Sequence, residues 1–389
     1  MNTKYLSIFF LFAILFLACS SSSNNSTTDK PTSTSLSKAE AALKVIELTS
    51  EWKATTKTRL ANVYKNKVAT DNGMSMPLWW TTYGVKPAGG YSLYISLHGG
   101  GETSASENDA QWDNQKHLYT PSNCVYLAPR APMNTWDMWF HKGLDTLYEQ
   151  TIQMAEAYLD VNPNKVYIMG YSAGGDGVWR EAPRMADSWA AASMMAGHPG
   201  DVSLINLRNT PFMIWCGALD SAYDRNTRCK ERGEEMDSLQ REDPEGYIHK
   251  TTIVANKAHW MDRVDTTAVS WMAQYTRNPY PQKVVWQQEE VLRNYFYWLS
   301  APQNELKRGK TVRAQISGNT IQLTRCDYSS LTILLNDELV DLDSPVIVTY
   351  NGKEIFNGKL NRTEDNMKQS LSQRNDPSYI FSAVVKVTL

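Results

Sequence analysis

The chain has 389 residues, with 39 basic and 41 acidic side chains, a formal charge of −2 and 42% hydrophobic residues. This near-neutral balance gives no electrostatic reason for a nucleic-acid partner, and neither a basic stripe nor a P-loop interrupts it. The length suits one large domain accompanied by a smaller one.

Lys4 precedes an apolar run from Tyr5 to Ala18, which ends at Cys19 before Ser20 to Ser23 and a polar Asn/Ser/Thr stretch. The run is short for a membrane span and reads as a secretion signal over residues 1–18. Phe16-Leu17-Ala18-Cys19 resembles a bacterial lipobox, with Phe16 in place of the usual aliphatic residue. That resemblance implies lipidation of Cys19, a flexible tether over 19–36, and an exported, membrane-anchored protein in the periplasm or at the cell surface. Cys124, Cys216, Cys229 and Cys326 match no metal motif, so neither a metal nor a cofactor is expected, and Cys124 and Cys216 read as buried thiols.

From Leu36 to about Lys67 the spacing of Leu43, Ile46, Leu48 and Trp52 predicts a helical segment, closed by an Asp71-Asn72-Gly73 turn. Strands follow at 91–97 and 123–128, a helix around 140–160, a strand at 165–169 and a helix at 175–186. Further strands fall near 190–196, 211–216 and 248–255, with a charged helical stretch at 225–242 and a helix at 264–276. Such alternation predicts an α/β domain over 37–280, built on a mainly parallel sheet flanked by helices, with ligands at the carboxyl ends of the strands. After Pro279-Tyr280-Pro281 the pattern becomes β-rich. Alternating runs at 312–316 and 321–323, and an Asn351-Gly352 hairpin signal, predict a C-terminal antiparallel sandwich over 281–389.

Two glycine-rich turns carry the chemistry. Gly170-Tyr171-Ser172-Ala173-Gly174 follows the strand at 165–169 and opens a helix, the setting in which a serine hydroxyl projects from a strained strand-to-helix turn. Leu97-His98-Gly99-Gly100-Gly101 ends an earlier strand, so amides of Gly99, Gly100 and Gly101 can join that of Ala173 around a developing oxyanion. A serine needs an imidazole to take its proton and a carboxylate to orient that ring. With both partners expected after the serine, each past a later strand, Asp220 is the favoured acid, with Asp224 second. Of six histidines, His98, His117 and His141 precede Ser172, His198 follows the very next strand, and His249 begins a strand at the wrong end of the sheet. His259, just past that strand, is the predicted base. Tyr171, Trp260, Glu102 and Asp224 are candidate substrate contacts, for they neighbour the serine, the base, the glycine loop and the acid.

On these motifs, with Met195-Ala196-Gly197-His198-Pro199, Tyr223-Asp224-Arg225-Asn226 and His259-Trp260-Met261-Asp262, the chain resembles the α/β-hydrolase superfamily, in its exported esterase and dienelactone-hydrolase-like group with a β-rich C-terminal domain. The resemblance implies hydrolysis of an ester without defining the substrate. The 13 Trp and 20 Tyr suit a glycan or aryl ester. A serine peptidase of the prolyl-oligopeptidase type shares the triad, but too few residues precede the glycine loop to build its propeller. A lipid-anchored glycan-binding protein with a degenerate hydrolase domain is the non-catalytic alternative.

Overall fold

Alternation of side chains along each strand decides what the two faces of the large sheet bury. The computed structural model describes residues 34–389, which form one compact unit; the expected signal, most of the tether and Cys19 lie outside the described residues. Helix α1 (Lys38–Arg59) opens with a capping box between Ser37 and Glu40, and α2 (Ala61–Asn66) follows it. Strands β1 (Val68–Asp71) and β2 (Met74–Tyr83) then pair antiparallel across Asn72-Gly73, both at positive φ, the primed turn that suits a twisted hairpin. Next come β3 (Tyr91–Leu97), α3 (Ala105–Leu118), β4 (Cys124–Pro129), α4 (Leu144–Tyr158), β5 (Val161–Tyr171), α5 (Ala173–Arg184), β6 (Ala191–Met195), β7 (Phe212–Gly217), α6 (Arg225–Glu242), β8 (His249–Val254) and α7 (Thr267–Met272).

The sheet order is β1-β2-β4-β3-β5-β6-β7-β8, with every pair from β4 to β8 parallel and the β1-β2 edge antiparallel. This is the α/β-hydrolase architecture. One face is aliphatic: Leu93, Ile95 and Leu97 of β3, with Val166 and Ile168 of β5, pack with Leu144 and Leu147 of α4 and Val178 and Trp179 of α5. The opposite face presents Tyr94, Tyr126, Tyr167, Met169 and Trp215, covered by Met261 and by Ala268 and Met272 of α7. Full burial of both faces explains the near-continuous apolar runs of these strands.

Residues 281–389 build a second core between two smaller sheets. Strands β9 (Lys283–Gln287), β12 (Thr311–Ser317), β13 (Thr320–Cys326), β15 (Val346–Tyr350) and β16 (Lys353–Gly358) form one; β10 (Tyr295–Phe296), β11 (Leu299–Ser300), β14 (Ser330–Leu335) and β17 (Ala383–Thr388) form the other. Pairing is antiparallel except between β13 and β15, which run parallel. Their inward residues, among them Val312, Leu323, Ile333 and Val348, share one apolar cluster. Helix α8 (Glu364–Arg374) lies between β16 and β17 in sequence, and its Met367 and Leu371 pack with Ala41, Leu48 and Trp52 of α1. The N-terminal helix therefore rests on both the α/β part and the β-rich part.

Buried arginines join the two parts. Arg374 reaches Asp187, Arg277 bonds Asp376 at 2.7 Å, and Arg293 bonds Asp145 at 3.1 Å and Glu149 at 3.0 Å. Asp145 also takes Arg184 of α5 at 2.7 Å. Such pairs stabilise little when formed but cost heavily when one partner is lost, because the other charge stays buried. Arg374→Met is expected to lower stability by about 3–5 kcal/mol, whereas Arg308→Ala, which opens only the exposed Arg308–Asp201 pair, should cost no more than about 1 kcal/mol. Urea unfolding of both variants checks the contrast, and equal losses would refute it.

Candidate active site

The elbow depends on backbone meeting backbone. Ser172 has φ 58° and ψ −122°, a sparsely populated conformation, and its amide donates to the Met195 carbonyl at 2.9 Å, tying the turn to β6. A Cβ on Gly170 would fall 2.3 Å from the Gly174 carbonyl oxygen, and one on Gly174 would fall 2.2 Å from the Leu97 carbonyl oxygen. No side chain fits at either place, so the Gly-x-Ser-x-Gly spacing reports a steric requirement.

His259 and Asp220 arrive from neighbouring strand ends. Residues after β7 and after β8 are laced together, Ala218 N–H donating to the Val254 carbonyl at 2.9 Å and Leu219 N–H to that of Lys257 at 2.8 Å. Across this junction Asp220 Oδ2 accepts from His259 Nδ1 at 2.8 Å, and the Ser172 hydroxyl donates to His259 Nε2 at 2.9 Å. A carboxylate only accepts, so Nδ1 carries the proton and Nε2 is left free to receive the serine's. The Asp220 side chain is buried while His259 is partly exposed. Asn226 secures the acid loop, its amide donating to the Asp220 carbonyl at 3.0 Å and its side chain to that of Ala218 at 2.9 Å. Tyr171 secures the histidine loop: its hydroxyl donates to the His259 carbonyl at 2.6 Å and accepts from the Met261 amide at 3.1 Å.

The glycine loop lies against the nucleophile, since a Cβ on Gly99 would sit 3.3 Å from Ser172 Cβ. Amides of Gly99, Gly100 and Ala173 donate to no other described residue. Gly101 departs from the expected donor set. Its amide donates to Asn108 Oδ1 at 3.0 Å, and Asn108 Nδ2 returns a bond to the Gly101 carbonyl at 3.1 Å. Gly100, at φ 109°, packs so closely on Asn108 Oδ1 that a Cβ would lie 2.1 Å away. His98 fixes the other end of the loop: Nδ1 donates to the Gly99 carbonyl at 2.6 Å, and Nε2 accepts from the Ala131 amide at 3.1 Å. Trp139 Nε1 donates to the His98 carbonyl at 2.8 Å. Neither Asn108 nor His98 is singled out as a loop anchor by spacing alone, for the signal in each case is a contact distant in sequence.

One cavity opens on the serine and a second lies beside Ala173, the two meeting at Gly100. The larger, about 760 Å³, is lined by Ser172, His259, Tyr171, Trp260, Gly99, Gly100 and polar residues of α3. The smaller, about 280 Å³, is lined by Gly100, Gly101, Glu102, Trp136, Ala173, Asp176, Arg180, His198, Tyr223 and Arg225. Of the expected substrate contacts, Tyr171 and Trp260 thus face the first cavity and Glu102 the second. Asp224 lines neither and touches neither His259 nor Ser172 in the hydrogen-bond pattern, standing instead at the N-cap of α6. Cys124, Cys216, Cys229 and Cys326 are buried free thiols, and the described residues contain no group of three His, Cys, Asp or Glu placed to share a metal ion.

No protein-family model matches the chain, and no curated protein matches it in sequence. Among solved structures it is similar to a thermostable esterase at 20% identity and a TM-score of 0.42, over 54% of this chain and 62%, less than two thirds, of that one. It is also similar to Est1E from Butyrivibrio proteoclasticus at 12% identity and a TM-score of 0.34, over 53% and 95% of the two chains. A phospholipase/carboxylesterase from Dyadobacter fermentans aligns at 17% identity and a TM-score of 0.36, over 52% and 99%.

Burial holds the His98 ring neutral by lowering its pKa to about 4. The unfolded chain binds a proton near pH 6.5 that the folded chain refuses until about pH 4, so stability falls as pH drops through this window. His98→Asn is expected to flatten that slope, removing up to about 3 kcal/mol of pH dependence. Urea midpoints at pH 7 and pH 4.5 measure it, and an unchanged slope would exclude His98 as its source.

Proposed function

We propose that this protein is a serine carboxylic-ester hydrolase working through an acyl-enzyme. The observation that supports the reading most is the unbroken relay from Ser172 Oγ to His259 to the buried Asp220, beside amides of Gly99, Gly100 and Ala173 that have no other partner. In this scheme Ser172 Oγ attacks the ester carbonyl carbon as its proton passes to His259 Nε2. The carbonyl electrons collect on oxygen, where preorganised amides stabilise them, each such donor typically contributing about 2.7–4 kcal/mol. Collapse expels the alcohol, which takes the proton from His259. Water then attacks the acyl-serine with His259 again as base, releasing the acid and restoring the hydroxyl.

The larger cavity supports a bulky alcohol half. It contains His259, which must protonate the leaving oxygen, and Trp260, whose exposed ring offers a platform for a sugar or aryl group. The apolar run before Cys19 supports export and lipid anchoring as part of the same proposal.

Ser172→Ala is expected to abolish turnover of small aryl esters and labelling by a fluorophosphonate. Asp220→Asn, which preserves shape but reverses the preferred tautomer of His259, should lower kcat by about 10⁴-fold. Feruloylated and acetylated sugars and chromogenic peptides form the comparison panel. Peptide turnover without ester turnover, or covalent labelling at another residue, would overturn the assignment.

A further inference from the structure

We propose that the smaller cavity is an anion subsite and that the acyl half of the substrate carries a carboxylate; this deepens the serine-hydrolase reading and rests on it. The two cavities divide the substrate. They share Gly100, so both open onto the oxyanion loop, but only the larger one contains His259. Because the leaving alcohol must reach His259 Nε2, the smaller cavity beside Ala173 receives the acyl group.

That cavity has two guanidinium groups without a hydrogen-bonded carboxylate partner. Elsewhere this chain pairs its buried arginines closely: Arg184 with Asp145, Arg208 with Asp243, Arg277 with Asp376 and Arg374 with Asp187. Arg180 forms no ion pair among the described residues. Its Nη1 donates only to the carbonyls of Asp176 at 3.2 Å and His198 at 3.4 Å, while the guanidinium plane stacks 3.9 Å from the centre of the Phe140 ring. Gly200 leaves room for its edge, since a Cβ there would lie 2.3 Å from Nη2. The group is therefore held in place by backbone and ring, with donors left over.

Arg225 is 9% exposed, and its buried Nε has no hydrogen-bond partner. Its approach to Asp220, 3.7 Å from Nη1 to Oδ1, is too long for a hydrogen bond, and its other neighbour is the ring of Tyr223 at 4.9 Å. That Nε is sealed from the cavity, so a ligand carboxylate would be met by the remaining guanidinium donors of Arg225 and Arg180, both of which line it. Two acids share the lining. Asp176 Oδ1 is committed to the His198 amide at 2.6 Å, and burial pushes the Asp176 carboxyl upward in pKa. Glu102 is exposed and opposes an anionic guest. The exposed rings of Trp136 and Tyr223 supply apolar cover for the chain or ring that bears the carboxylate.

The test compares p-nitrophenyl monoesters of glutaric, adipic and suberic acids with p-nitrophenyl hexanoate, each corrected by the Ser172→Ala variant. The wild type should favour at least one half-ester by about tenfold or more in kcat/KM, as expected for a charge-assisted contact. Arg180→Met and Arg225→Met should each collapse that ratio towards one, Arg180→Lys should retain part of it, and Glu102→Gln should raise it. A wild type preferring hexanoate over every half-ester, or a ratio surviving both methionine variants, would overturn the subsite. If no ester turns over, the hydrolase reading falls, and calorimetric titration of monomethyl adipate into Ser172→Ala still decides the subsite. Saturable binding lost in Arg180→Met supports it; absence of binding refutes it.

Discussion

The site depends on a contact between main chains that admits no side chain. At the elbow, Gly170 packs on the carbonyl of Gly174, and Gly174 packs on that of Leu97, so the end of β3, the end of β5 and the first turn of α5 occupy one small volume. Close approach does three things at once. It forces Ser172 into a conformation costing of order 1–3 kcal/mol, it sets the start of α5 where its first amide is free, and it brings the loop after β3 beside the hydroxyl. Backbone strain, an exposed serine hydroxyl and free amides beside it therefore come from one packing event.

A second layer of structure keeps that event in place. Helix α5 carries Glu181 and Arg184 into the interior, where Arg184 meets Asp145 of α4. Burial raises the Glu181 carboxyl to about 8 despite the adjacent guanidinium. Arg293, from the β-rich part, binds the same Asp145. The polar cluster therefore runs from the elbow helix into the second core, and the β-rich part acts as a buttress for that helix.

Much of this was legible in the chain, for identifiable reasons. Parallel strands buried on both faces give nearly uninterrupted apolar runs, so β3, β5, β6 and β7 stand out, while the edge strand β8 is marked by its β-branched Thr251 to Val254; chain order then selects Asp220 and His259, two side chains that lie within hydrogen-bonding distance in a relay to Ser172. Helix α3 escapes a periodicity search because polar side chains hold it: Gln115 bonds Ser96 at 2.7 Å, Trp112 bonds the Ala128 carbonyl at 2.9 Å, and Asn108 grips the glycine loop. Its one local mark is the Ser104 cap on the Glu107 amide. Helix α8 is hidden similarly within a β-rich stretch, announced only by Thr363. The parallel pairing of β13 with β15, and arginine bridges spanning a hundred residues or more, leave no local trace. Nor does the Asn108 bond that occupies the Gly101 amide.

Helix α3 has a wider consequence. Its fully buried side chains are Asn108 and Gln115, and His117 packs edge-on against Trp79, but the exposed Asp113 and Asn114 on the wall of the larger cavity touch no hydrophobic core. Mutational drift at those two positions can reshape the wall of the larger cavity while fold stability is barely taxed, which makes this wall adaptable to both natural divergence and directed evolution.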